Sequence, residues 1–86
     1  MTSYSSCALV AGCNPLLAEG IRGLLQPSFD AVVMVADQPS LVEAAHRLQP
    51  GLALIEIGLG HGNLGEMIRR LRSGCHGLRV IVLGMH

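Results

Sequence analysis

The sequence contains no lysine, and its six cationic side chains are all arginines, balanced by six acidic residues. The net charge is zero at pH 7, and no basic stripe is present to hold a phosphate backbone. We therefore expect no direct nucleic-acid binding by this segment. No apolar run approaches the roughly 18 residues that a membrane-spanning helix requires, so no membrane association is expected.

Paired cysteines are also missing. The three cysteines, Cys7, Cys13 and Cys75, form neither a Cys-x-x-Cys motif nor an even set, and no His-x-x-x-His motif accompanies them. This pattern argues against a disulfide framework, favours the reducing cytoplasm and predicts neither a metal site nor a cofactor. The segment Val-Ala-Gly-Cys ending at Cys13 resembles a lipoprotein cleavage box, but no basic residue precedes it, and we interpret it as a strand end.

Charged residues make up only 14% of the chain, against roughly 25% in an average globular domain. Half of the residues are hydrophobic, and the mean hydropathy is +0.48. A chain of 86 residues fits one domain and buries only about 60–65% of its unfolded surface. Such apolar composition in a small domain predicts self-association, or a further segment that covers the apolar surface.

Four apolar runs are present, and none alternates apolar with polar residues. They span residues 7–11, 31–36, 52–57 and 78–83. Continuous runs of this length are typical of strands covered on both faces, as in a parallel sheet.

Three helical patterns separate the runs. The first begins with Asn14 as a cap and Pro15 at the first helical position. The second starts near Pro39, and the third starts at Asn63 and ends at Gly74, where we expect a left-handed residue. The predicted inward stripe of the first helix consists of Leu17, Ile21, Leu24 and Leu25. The order β-α-β-α-β-α-β predicts an α/β fold with a parallel sheet and helices on both faces.

Three segments, Leu9 to Ile21, Gln49 to Ile57 and Arg79 to Gly84, are similar to the receiver domain of bacterial response regulators. They resemble that family's first strand and helix, its acceptor strand and its fourth strand, in receivers that precede LuxR-type DNA-binding domains. The resemblance implies a flavodoxin-like sheet of order 2-1-3-4-5 in a two-component phosphorelay. Residues 1–86 would form one receiver-like domain without the last strand and helices.

The resemblance also locates the phosphorylation site, and each of its residues is replaced. The two acidic Mg²⁺ ligands fall on Gly12 and Cys13, and the phosphoacceptor aspartate falls on Glu56. The hydroxyl residue of the fourth strand falls on Gly84, and the lysine of the fifth strand has no counterpart. Without Mg²⁺ and lysine, nothing neutralises a transferred phosphoryl group, so we expect no enzymatic activity.

These replacements predict an atypical receiver that regulates transcription through protein contact. Glu56 either imitates a phosphorylated aspartate or is a solvated carboxylate at a strand end. The alternative is a small-molecule site in the vacated pocket formed by Gly12, Cys13, Glu56, Gly58 and Gly84.

The fourth strand carries the predicted contact surface. It forms an apolar sheet edge, which favours a homodimer across this strand or across the sheet face that the missing last helix would cover. A downstream DNA-binding region or another regulator is the other partner to consider. The edge residues are Val80, Ile81, Val82 and Leu83.

Overall fold

A computed structural model describes residues 7–12, 14–56 and 64–84 of the chain. Strands and helices alternate along these residues, which confirms the predicted order of elements. The elements are β1 (Cys7–Ala11), α1 (Pro15–Leu25), β2 (Ala31–Val35), α2 (Gln38–Leu48), β3 (Leu52–Glu56), α3 (Leu64–Gly74) and β4 (Arg79–Leu83), with a short 3-10 helix (Gln26–Ser28) after α1. None of the described helices is long and apolar enough to cross a bilayer.

The four strands form one parallel sheet in the order β2-β1-β3-β4. This is the order of the first four strands in flavodoxin-like folds, so the predicted fold class is confirmed. In the register of the sheet, Ala11 is aligned with Val35 and Ile55, and Glu56 is aligned with Leu83. The carboxyl ends of all four strands therefore meet at one edge of the sheet.

The core lies on the sheet face that packs against α2 and α3. Because side chains alternate along a strand, every second residue of β1 and β3 points into this core. Its strand and helix members are Leu9, Ala11, Leu41, Ala45, Ala53, Ile55, Met67 and Leu71. Helix α1 packs on β1 and β2, and all of its described residues keep some exposure. The two faces of the sheet are therefore covered unequally.

Helix α1 begins as the sequence predicts. The Asn14 side-chain oxygen accepts hydrogen bonds from the backbone N–H groups of Leu16 and Leu17 at 3.0 and 3.2 Å. These bonds satisfy two of the amides that a helix start leaves unpaired. The predicted inward stripe is wrong at Leu24, whose side chain is 79% exposed.

Helix α2 begins one residue earlier than predicted, at Gln38 instead of Pro39. Its cap is Asp37, whose carboxylate accepts the backbone N–H of Ser40 at 2.8 Å. Hydrogen bonds from Ser40 lower the pKa of Asp37, because they stabilise the charged carboxylate. Asn63, the predicted cap of α3, lies outside the described residues.

The carboxyl ends of α2 and α3 are joined by an arrangement that we term the interhelix clasp, formed by His46 and Gln49 against the end of α3. The Gln49 amide donates to the carbonyl oxygens of His46 and Gly74 at 3.0 and 2.9 Å. The His46 Nε2 atom lies 3.2 Å from the carbonyl oxygen of Arg70.

The predicted left-handed conformation of Gly74 is wrong. Gly74 is the last helical residue of α3, and the positive φ, 79°, occurs at Gly77. Space explains the glycine, since a Cβ atom at position 74 would lie 2.7 Å from the His46 ring.

Candidate functional site

The candidate site lies at the carboxyl edge of the sheet, where β1, β3 and β4 end. Gly12 directly follows β1, Glu56 is the last residue of β3, and Gly84 directly follows β4. The register of the strands brings these three residues to the same edge. Cys13 and Gly58, the other predicted pocket residues, lie outside the described residues.

The Glu56 side chain lies over the backbone of Gly12. A Cβ atom at position 12 would be 2.6 Å from Glu56 Oε1 and 3.2 Å from Glu56 Cβ. Contacts below 3.0 Å force one of the two groups to move. Gly12 is therefore the residue that makes room for the carboxylate.

The same carboxylate contacts the start of α1. Glu56 Oε1 accepts a hydrogen bond from the backbone N–H of Asn14 at 3.3 Å. The amino end of a helix carries a partial positive charge, so a carboxylate at this position is stabilised. The sequence identifies Asn14 as a cap and Glu56 as a strand end. Only the three-dimensional arrangement shows that the two residues meet.

Little space remains beside this contact. The cavity that borders Gly12 and Glu56 has a volume of about 10 Å³ and is closed by Leu17, Ile21 and Leu54. This is close to the least volume that holds one water molecule and far below the roughly 300 Å³ of a small ligand site. Between Gly12 and Glu56, the Glu56 side chain and α1 therefore leave no room for a ligand.

Two larger depressions lie outside this contact. A hollow of about 280 Å³ shares Val10, Gly12 and Ala18 with the small cavity and is lined mainly by apolar residues of β1, β2 and α1. A groove of about 400 Å³ runs between α2 and α3 and contains Glu43, Glu66 and Arg70. The sequence does not predict this groove, because the spacing of residues within each helix contains no information about the gap between the two helices.

The described residues include two free thiols and no cluster of three metal-ligating side chains. No three His, Cys, Asp or Glu side chains among them are arranged to hold a metal ion. Cys7 and Cys75 are free thiols, and burial raises the pKa of both. The Cys75 thiol donates to the carbonyl oxygen of Ala45 at 3.2 Å. Both thiols are thus protonated at neutral pH and are weak nucleophiles.

The predicted contact residues lie on β4, which the strand order places at one edge of the sheet. Val80 packs against the core, whereas Ile81 is 45% exposed. Ile81 is aligned with Leu54, and neighbouring aligned residues share a sheet face. Because Leu54 faces α1, Ile81 lies on the α1 side of the sheet.

Comparisons with known proteins gave no match, whether with protein-family models, with curated proteins or with solved structures.

Proposed function

We propose that this chain is a non-phosphorylatable receiver-like module of bacterial signal transduction and transcription regulation. It acts through protein contact and catalyses no reaction. Support comes from the flavodoxin-like strand order together with the three sequence segments that resemble receivers. The free thiols of Cys7 and Cys75 fit a reducing cytoplasm, which is the location that we propose.

The contact between Glu56 and Gly12 carries this proposal. Phosphoryl transfer to a carboxylate requires cations that neutralise the developing negative charge. At the position where the resemblance expects an acidic Mg²⁺ ligand, Gly12 has no side chain, and Glu56 fills the adjoining space. The Glu56 carboxyl group accepts a hydrogen bond from the Asn14 amide, so an acidic side chain is held at the carboxyl end of β3 without phosphorylation.

The proposed contact surface is the edge formed by β4. One side of an edge strand presents N–H and C=O groups that the sheet itself does not pair, so another chain can add a strand there. A second copy of this chain or another regulator could supply that strand. The half-exposed Ile81 adds apolar surface beside the edge. The alternative is a small-molecule site at Gly12, where the cavity toward Glu56 measures about 10 Å³ and the adjoining hollow about 280 Å³.

Intact-mass measurement after incubation with Mg²⁺ and acetyl phosphate tests the proposal. The expected result is an unchanged mass, under conditions in which an active response regulator gains a phosphoryl group. The Glu56→Gln variant is the matched control, since it keeps the size of the side chain but removes the carboxylate. Phosphoryl mass on the wild-type chain that is absent from Glu56→Gln would refute the proposal.

A further inference from the structure

A groove between α2 and α3 has the size of a small-ligand site. We term it the α2–α3 groove and define it by Val42, Glu43, Met67 and Arg70. Its volume is about 400 Å³, within the range of roughly 300–1,000 Å³ that small-molecule sites occupy. The interhelix clasp holds the carboxyl ends of the two helices together, so the groove lies between the clasp and the amino ends of the helices.

Glu43 and Arg70 lie across this groove from each other at nearly the same level. Both helices follow strands of a parallel sheet and pack on the same sheet face, so they run in about the same direction. In the clasp, His46 lies against the carbonyl oxygen of Arg70 and the Cβ position of Gly74, which places it level with the turn between those residues. Glu43 precedes His46 by three residues, or about 4.5 Å along the axis, and is therefore nearly level with Arg70.

The α2–α3 groove combines buried apolar side chains with exposed charged ones. Met67 is only 2% exposed, and Val42 is half-buried. Glu43 and Arg70 are exposed, and among the described residues no ion pair joins them to each other. Packed helices lie about 8–10 Å apart at their axes, so one small molecule can contact both walls of the groove. The groove thus offers a carboxylate on one wall, a guanidinium on the other and apolar surface between them.

We propose that the α2–α3 groove binds a free α-amino acid with an apolar side chain. The ammonium group of the ligand donates hydrogen bonds to the Glu43 carboxylate, and its carboxylate accepts them from the Arg70 guanidinium. Its side chain covers the apolar surface of Val42 and Met67. Free amino acids are selected because, within a peptide chain, the same two groups form uncharged amides. This site goes beyond the proposed function and depends neither on Glu56 nor on the β4 edge.

NMR titration of the isotope-labelled chain tests the site, with L-leucine and L-methionine as probes. The backbone amides of α2 and α3 around the groove should shift and reach saturation. Isoamylamine and isocaproate are leucine without its carboxylate and without its amino group. Each should bind about tenfold more weakly than L-leucine or worse, because one charged hydrogen-bonded contact is lost. Glycine keeps both charges but lacks the apolar side chain, and it should also bind more weakly than L-leucine.

Two variants that each remove one charge assign the contacts. In Arg70→Gln, the affinity for L-leucine should fall about tenfold or more, to that of isoamylamine, because the ligand carboxylate loses its partner. In Glu43→Gln, it should fall to that of isocaproate. Arg69→Gln is the matched control, since it removes the same charge one position earlier on α3, about 100° around the helix, and it should leave the affinity unchanged. All three positions are exposed, so the fold is expected to persist, as circular dichroism would check.

Three results would overturn the proposal. The first is a wild-type chain that shows no saturable shifts with either amino acid, or shifts only outside α2 and α3. The second is isoamylamine or isocaproate binding as tightly as L-leucine, which would make the groove a site for a single charge. The third is an equal loss of affinity in Arg69→Gln and Arg70→Gln, which would show a general effect of net charge. Each of these results would leave the proposed function intact, and the phosphorylation assay tests that function separately.

Discussion

At the scale of single residues, the glycine at position 12 is explained by a neighbouring side chain and not by its own backbone conformation. Its φ is not in the left-handed region, and glycine instead leaves space for the Glu56 carboxylate, whose Oε1 atom would lie 2.6 Å from a Cβ atom at this position. The residue at position 12 is thus matched to the Glu56 side chain on a neighbouring strand. The carboxylate in turn accepts a hydrogen bond from the amide of Asn14, so it links the end of β3 to the connection between β1 and α1.

Gly12→Ala should therefore lower the free energy of unfolding by about 1 kcal/mol, because the new methyl group displaces the Glu56 carboxylate from the Asn14 amide. Urea denaturation measures the change. In a Glu56→Ala background, the 2.6 Å clash with Oε1 is gone and only the 3.2 Å contact with the Cβ atom of residue 56 remains, so the same substitution should cost less. Equal losses in both backgrounds would show that the carboxylate does not determine the residue at position 12.

The sequence predicts parts of this site but not its contact. Asn14 is recognisable as a cap because Pro15 follows it, and Glu56 is recognisable as the end of an apolar run. The contact between Glu56 and Gly12 depends on the alignment of β1 with β3 and on the rotamer of Glu56. Neither quantity is encoded in the local pattern of either segment.

At the scale of elements, the interhelix clasp determines how closely the ends of α2 and α3 approach. The ring of His46 occupies the space that a side chain at Gly74 would need. Gln49, which has a positive φ of 51°, directs its amide to carbonyl oxygens of both segments. A glycine that looks like a helix stop in the sequence is therefore a packing residue between two helices.

The effect of Gly74→Ala on the free energy of unfolding should depend on the residue at position 46 and change sign when His46 is removed. In the wild-type chain, the added methyl group would lie 2.7 Å from the His46 ring, so we expect a loss of stability of about 1 kcal/mol. In the His46→Ala background, the better helix propensity of alanine should instead stabilise the fold by up to about 1 kcal/mol. Thermal and urea unfolding of the four variants would measure both effects. If Gly74→Ala stabilised the fold in both backgrounds, the His46 ring would not be what excludes a side chain at position 74.

For helix α1, the spacing of apolar residues predicts a helix but does not determine which side of it packs on the sheet. The helix carries leucines on both of its sides, so the sequence does not determine which side meets the sheet. The stripe predicted from spacing included Leu24, but the structure turns Leu24 outward and buries Leu17 and Ile21 more deeply. The strands were easier to predict, because both faces of a continuous apolar strand are covered and no inward face has to be assigned.

At the scale of the whole molecule, stability depends on one face of the sheet. The fully buried side chains belong mainly to the layer between the sheet and helices α2 and α3, where Leu9 is completely inaccessible. Helix α1 adds half-buried contacts on the other face. A domain of this size has only about 5 kcal/mol of stability to lose.

The same substitution at two leucines should show this asymmetry. Leu9→Ala should cost about 3 kcal/mol, because it leaves a cavity in the buried layer. Leu16→Ala, at a side chain that is 85% exposed, should change stability by about 0.5 kcal/mol or less at dilute concentration. Chemical denaturation compares the two variants directly. Similar losses would mean that the α1 side contributes as much to the fold as the buried layer does.

The contact between Gly12 and Glu56 also couples the substitutions that the two positions tolerate. A side chain at position 12 would meet the Glu56 carboxylate, and an acidic one would meet it as a like charge as well. A smaller or neutral residue at position 56 would remove both effects. Substitutions at the two positions are therefore expected to be non-additive, and a library that randomises both should return correlated pairs.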